Sequence, residues 1–420
     1  MKPKLLTTLP QTTPASLWAD LLAGITVAMV AIPLSVAIAI ASGATPAAGL
    51  VTAIVGGFLI SLLGGSRVQI GGPTGAFIVV VYGVIASHGY DGLVLATLMA
   101  GCILLLAGLL RAGNLIAYVP EPVVNGFTIG IAVIIAASQL KDLFGLDVAR
   151  VPADFLDKLP VLWSARGTMN WTALGIGLVT LTLMVAMRRL FPRFPGLIVA
   201  MALAALAVMA LKLPVDTIQS RYGELPRHLP LPAIPSITLA RLTELLPSAL
   251  TLAFLAAIES LLSAMVADRM IGSRHRPNAE VLAQGWANIA SALFGGLPAT
   301  GAIARTATNV RAGGQTPLAG IFHAVIILLV MLLAAPLAGY LALPALAALL
   351  LMTAWNMSEP HKWRSYWSAP LSDRVLLLLT LALTVVADLT VAIGVGVGLG
   401  LALRLRESNP TAPDWTGPDR

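Results

Sequence analysis

The chain is a succession of apolar runs, most of them long enough to cross a lipid bilayer as helix. They lie at about residues 19–42, 46–64, 73–88, 92–112, 121–140, 170–187 and 195–212. A second set lies at about 245–267, 278–294, 303–312, 316–338, 341–356, 372–388 and 389–406. A helix needs roughly 17–25 apolar residues to span the hydrocarbon core, and these runs lack the short alternating pattern of an outer-membrane barrel. The chain is 58% hydrophobic and 11% charged over 420 residues, too little polar surface for a soluble globule. The fold class is therefore an all-α polytopic membrane protein in a lipid bilayer.

The fourteen segments fall as seven plus seven. An odd number per half sets the second half upside down relative to the first, the geometry of an inverted-topology repeat. The expected organisation is an N-terminal segment at 1–18, a first repeat at 19–212, a second at 245–406 and a short disordered tail at 407–420. Residues 1–18 do not read as a signal peptide, because the apolar run behind them is too long and has no clear cleavage site. Asp388, with Gly394, Gly396 and Gly398, reads as a break between two short final helices. The proline-rich stretches 141–170 and 213–242 read as loops on the outer face.

The net charge of +7 has its explanation in topology. Threading the segments alternately gathers most lysines and arginines, including Arg188, Arg189, Arg269, Arg274, Arg276 and Arg311, on the side of the two termini. That is the positive-inside bias, which predicts an inner-membrane protein with both termini cytoplasmic and gives no support to a nucleic-acid partner. Cys102, the single cysteine, reads as a small core residue and excludes an intramolecular disulfide. No His-Glu-x-x-His, Walker A or Gly-x-Ser-x-Gly pattern is present, so an enzyme is not expected and transport is secondary.

Two stretches interrupt the apolar pattern in the same way. VQIGGPTGAF at residues 68–77 and LPATGAIA at 297–304 each carry Thr-Gly-Ala after a Gly-Gly pair and a proline. Irregular backbone is tolerated at membrane depth only where protein or a wet cavity satisfies it. Residues 67–72 and 296–302 therefore read as extended segments leading into half-helices that start near Pro73 and Ala302. If the halves are inverted, the two helix N-termini meet near the midplane and form an anion site. Arg305, near the start of the second half-helix, adds positive charge; its alternative is a structural pairing with Glu259 or an excursion to the membrane surface.

Glu259 lies in the middle of FLAAIESLLSAMVAD, with Ser263 one turn on along the same face. A carboxylate with hydroxyl and carbonyl oxygens suits sodium; a lone carboxylate suits a proton; the residues leave both open. Asp268 beside Arg269 reads as an interfacial charge. His323, Asn125, Gln139 and Asn309 read as helix-packing hydrogen bonds.

The stretches IPLSVAIAIASGATPAAGL, GGSRVQIGGPTGAF and NAEVLAQGWANIASALFGGLPATGAIARTATNVRAGGQTPLAG resemble the sulfate permease (SulP) family, related to the solute-carrier anion transporters. The resemblance covers nearly the whole chain. It implies a uracil-permease-like architecture, with segments 1–4 and 8–11 as a core domain and 5–7 and 12–14 as a gate domain. It further implies that Thr74, Gly75 and Ala76 contact the anion from one half-helix, and Gly301, Ala302, Ala304 and Arg305 from the other. Glu259 takes the coupling-ion position, for Na+ or H+, with Ser263 and Thr306 nearby; no other cofactor is implied. Some proton-coupled relatives use an acid in segment 1, and residues 32–40 hold none. The family usually carries a cytoplasmic STAS domain after the last helix, and the residues after Arg406 are too few to form one.

The expected activity is elevator-like secondary transport of a small anion, with sulfate first and bicarbonate or dicarboxylates next, by a homodimer. An uncoupled exchanger or channel is one alternative and a nucleobase permease of the same fold another. Nucleobase permeases place acids in both the eighth and tenth segments, and here the tenth carries Arg305.

Overall fold

The computed structural model describes residues 2–114, 120–148, 151–191, 196–387 and 389–406. Its helices in chain order are α1 Leu5–Thr8, α2 Pro14–Ala41, α3 Pro46–Val51, α4 Gly57–Leu63, α5 Ile78–Leu109, α6 Glu121–Leu143, α7 Phe155–Ser164, α8 Trp171–Leu190 and α9 Gly196–Ala210. There follow α10 Ile218–Tyr222, α11 Leu239–Ile271, α12 Pro277–Leu293, α13 Ile303–Arg311, α14 Leu318–Gly339, α15 Leu343–Met357, α16 Trp363–Ser368, α17 Leu371–Val386 and α18 Leu389–Arg406. Two short strands, β1 Gly71–Gly72 and β2 Thr300–Gly301, pair antiparallel. Among the described residues, seven helices are long and apolar enough to cross a membrane, which makes the chain a multi-pass membrane protein.

Local chemistry sets the helix ends. Thr13 and Ser16 form a reciprocal capping box at the start of α2, with Pro14 in its first turn, where a missing N–H costs nothing. The apolar runs at 73–88 and 92–112 remain two helical pieces, labelled together as α5, that meet at a kink at Gly89, whose φ of 69° suits a residue without Cβ. A π turn over Thr52–Gly56 separates α3 from α4.

The helices pack in two groups. In one, α5 lies along α12 and α11, α14 lies along α2 and α4, and α13 wedges between α11 and α2. Small residues let these backbones close up: a Cβ built on Gly101 would sit 2.9 Å from the Gly285 carbonyl, and one on Gly24 2.9 Å from that of Ala319. In the other group, α6 packs on α15 and α17, α8 on α9 and α15, and α17 on α18.

Several expectations change. The outer stretches are not loops throughout, because they contain α7 and α10, and α11 starts at Leu239, ahead of the apolar run at 245. The first half-helix begins as a 3-10 turn at Gly75–Phe77 and the second at Ile303, one or two residues after the expected starts. Cys102 is exposed on the side of α5 and is not a core residue; an apolar thiol facing hydrocarbon meets no penalty. Asp388 and the tail 407–420 lie outside the described residues.

Candidate functional site

The two interruptions meet. Gly71 pairs with Gly301 and Gly72 with Thr300, and the Ala302 amide extends the ladder to the Ile70 carbonyl at 2.9 Å. Each short strand supplies hydrogen bonds that the other lacks, as membrane depth requires.

Polar side chains from the surrounding helices satisfy the remaining backbone groups. Asn288 takes both groups of one residue, accepting from the Ala299 N–H at 2.9 Å and donating to its carbonyl at 2.8 Å. Thr52 Oγ1, on the π turn, accepts from the Leu297 N–H at 2.6 Å, and Ser291 donates to the Leu297 carbonyl at 2.6 Å. The Ile70 N–H donates to Thr306 Oγ1 at 3.1 Å, Asn309 donates to the Val68 carbonyl at 2.8 Å, and Thr300 donates to the Ala256 carbonyl at 2.8 Å. Gln69 Nε2 donates to both the backbone and side-chain oxygens of Ser260 at 3.0 Å. Upstream, the buried Glu280 accepts from the amides of Gly65 and Ser66 at 2.9 and 3.2 Å, and from Ser260 and Gln284.

Around this pair the chain encloses a cavity of about 1920 Å³, with a mouth lined by Arg188, Arg269, Arg311 and Lys362 together with Glu121 and Glu359. Thr74, Gly75, Ala76, Glu259, Ala302, Ala304 and Arg305 all line it. The first turns from Gly75 and from Ile303 carry amides without intrahelical partners, so partial positive charge faces the cavity from two helix starts. Ala302 contributes no free amide, since its N–H belongs to the ladder. Gly301 is held to glycine by proximity: a Cβ there would fall 1.4 Å from Gln69 Nε2.

Arg305 reaches back across the junction. It is 2% exposed, and its Nη2 donates to Ser35 Oγ at 3.0 Å and to the Pro73 carbonyl at 3.1 Å, while Nε and Nη1 have no partner. It contacts neither Glu259 nor the membrane surface through any described bond, so its charge sits beneath the meeting point of the half-helices. Glu259 accepts from Thr74 Oγ1 at 2.7 Å, which joins the acid directly to the first Thr-Gly-Ala motif.

The set expected around the coupling ion divides. Ser263 and Thr306 share a hydrogen bond of 3.1 Å, fully buried behind β1, and neither lines the cavity, whereas Glu259 bonds Thr74 on the cavity side. Asp268 is more than an interfacial charge: it accepts from Ser273, from the His275 amide and from the His275 ring, and so ties off the end of α11. Asn309 makes the packing bond expected of it, and Asn125 lines the cavity. Gln139 is buried. His323 does not make the expected bond, since both ring nitrogens are buried without a partner.

Sequence reasoning missed the residues that hold the crossing segments. Glu280, Gln284 and Asn288 stand four residues apart on α12, a polar stripe on one face of an otherwise apolar helix, and that spacing was the available signal. Asp20 was missed as well; it lies fully buried at the start of segment 1 and accepts from the amides of Gln315 and Thr316 ahead of α14.

Comparison with known proteins gives this geometry a family. The sequence pattern of the sulfate permease family matches residues 17–380. The chain is 45% identical to YvdB of Bacillus subtilis over 341 residues, 81% of this chain and 64% of that protein. It is 32% identical to the bicarbonate transporter BicA of Picosynechococcus sp. over 341 residues, 79% of this chain and 60% of that protein. It thus spans less than two thirds of the length of these curated relatives. The transmembrane domain of a cyanobacterium bicarbonate transporter BicA superposes with a TM-score of 0.82 at 30% identity, covering 91% of this chain and 99% of that domain. The murine solute carrier 26 member A9 anion transporter superposes with a TM-score of 0.86 at 18% identity, over 97% of this chain and 71% of that one, a likeness of fold alone. With its apolar helices and this match over most of its length, the chain belongs to the sulfate permease family.

Proposed function

We propose that the chain is a secondary active transporter of a small oxyanion, sulfate or bicarbonate, in a cell inner membrane. The observation that carries this reading is the pairing of β1 with β2, which brings two helix starts and the Arg305 guanidinium to one cavity floor. Helix N-termini each favour an anion by roughly 0.3–1 kcal/mol when exposed and up to ~2 kcal/mol when partly buried. The unpaired amides after Thr74 and after Ala302 are the proposed ligands, with Gly75, Ala76, Ile303 and Ala304 at the contact surface. Arg305 acts through its field, because its only described donations run to Ser35 and Pro73.

In this reading the helix group containing α2, α5 and α11–α14 is the moving core, and the group containing α6, α8, α9, α15, α17 and α18 is the gate. The fourteen segments form two inverted repeats. The basic mouth faces the cytoplasm by the positive-inside rule. Glu259 carries the coupling: held by Thr74, it links protonation or sodium occupancy to the first anion-binding motif. YvdB carries a sulfate-transporter name and BicA a bicarbonate-transporter name, so both oxyanions go into the test.

The experiment is uptake of labelled sulfate and bicarbonate into proteoliposomes under separately imposed sodium and proton gradients. The expected result is uptake of one oxyanion driven by one gradient, lost in Arg305→Ala and uncoupled from the gradient in Glu259→Gln. Uptake that ignores both gradients and survives Glu259→Gln refutes the coupled reading and leaves an exchanger or channel.

A further inference from the structure

The helix α7 does more than join α6 to α8. Its Lys158 is 4% exposed, an unusual place for an ammonium group on a connecting segment. Nζ donates to Ser138 Oγ of α6 at 2.7 Å and lies 6.0 Å from the centroid of the Tyr82 ring of α5. The Tyr82 hydroxyl donates in turn to the carbonyl of Val151, in the segment that leads into α7. One strap therefore grips both helix groups.

Position makes the grip consequential. Glu121, the first residue of α6, lines the cavity mouth, and α6 then runs 23 residues away from it, roughly 35 Å, to the end that carries Ser138 and α7. Tyr82 lies two turns beyond Gly75 on the first half-helix, the element whose start forms the cavity floor. Lys158 and Tyr82 thus join the two groups on the face opposite the open mouth. Any sliding of one group past the other must part this contact. The ring face and the hydroxyl leave the ammonium only part of the hydration it gives up, so the contact is separable.

We propose that Lys158, with Tyr82 and Ser138, forms the outer latch of the transport cycle, holding the far side shut while the basic mouth is open. The inference rests on the two-group reading above. It makes Lys158 a positioning residue that acts through the half-helix without touching substrate.

The test reads the rare state in which the far side is open. Leu34 lines the cavity. In a Cys102→Ala background, Leu34→Cys is exposed to a membrane-impermeant thiol reagent added only on the α7 side of sealed vesicles. The labelling rate then follows the population open to that side. Lys158→Met, Tyr82→Phe and Ser138→Ala are compared with Lys212→Met, an exposed lysine outside the strap. The expected result is an acceleration of about five-fold or more in Tyr82→Phe, which loses the bond to the Val151 carbonyl, and in Ser138→Ala, which takes a partner from an ammonium that stays buried while the far side is shut, and none in Lys212→Met. Lys158→Met, which also removes the cost of burying the charge, is expected to label at a rate different from its parent. If Lys158→Met does not fold, Tyr82→Phe and Ser138→Ala, which remove one hydroxyl each, carry the test. Equal rates in all folded variants overturn the latch. Sulfate and bicarbonate uptake by the parent chain tests the transport reading separately, so accelerated labelling without uptake would keep the latch and remove the anion.

Discussion

Replacing Asn288 by alanine tests the hydrogen-bond accounting on which the site stands. Asn288 is 1% exposed and is the described partner of both backbone groups of Ala299, two residues ahead of β2's Gly301. Alanine removes the two hydrogen bonds to Ala299, worth about 1 kcal/mol each, together with the Nδ2 donation to the Gln284 carbonyl, and leaves a buried N–H and a buried C=O at Ala299, each costing about 1–3 kcal/mol when unsatisfied. These figures overlap, and a loss on the order of 4 kcal/mol is expected if no water enters. The neighbouring contacts leave little space for one, since Leu297 and Gly296 are already packed against Thr52 and Ser291. Thermal unfolding of the detergent-solubilised protein should show a drop of many degrees. Hydrogen exchange should rise at residues 297–302 before it rises elsewhere. Ser87→Ala, whose exposed hydroxyl bonds only its own helix, serves as the reference and should stay within about 0.5 kcal/mol. A variant that melts with its parent and transports normally would show that the crossing segment does not depend on its helix α12 partners, and the derivation of the site would fail with it.

Two further outcomes follow from particular contacts. Gly301→Ala places a methyl group 1.4 Å from Gln69 Nε2, and Gln69 is held by two bonds to Ser260, so anion uptake should be lost and the melting temperature lowered; an active, stable Gly301→Ala chain would refute this. Burial lowers Lys158 to about 8 from its ordinary 10.5, and Asp154 is the charged group that pulls it back up. Between about pH 8 and 10.5 the unfolded chain binds the extra proton, so stability rises with pH in that window, by up to about 3 kcal/mol, while the penalty is fully present below pH 8. The difference in melting temperature between the parent and Lys158→Met, measured across that window, should move in the parent's favour; a constant difference refutes it.

The sequence by itself determined the class of protein and the location of its special backbone. Hydropathy along one segment is a local property, so runs such as 121–140 and 316–338 could be read as helices that α6 and α14 later matched to within a few residues. The two Thr-Gly-Ala breaks were legible because a Gly-Gly pair followed by a proline interrupts an apolar run, and irregular backbone is tolerated at membrane depth only where protein or a wet cavity satisfies it. Arg305 and Glu259 stood out because each is costly there.

Tertiary structure alone decided what those residues do to one another. Glu259 and Ser263 share a helix face, yet one bonds Thr74 at the cavity and the other bonds Thr306 behind β1, because partners far along the chain fix each side chain. The outer stretches looked like loops because α7 has prolines around it and a mixed composition; its helix is held by contacts with α6 and α5 that no local pattern encodes. The register of β1 on β2 joins segments from opposite halves of the chain. Spacing rules read neighbours up to about eight residues apart, and most of the bonds that build this site span from 11 to 270 residues.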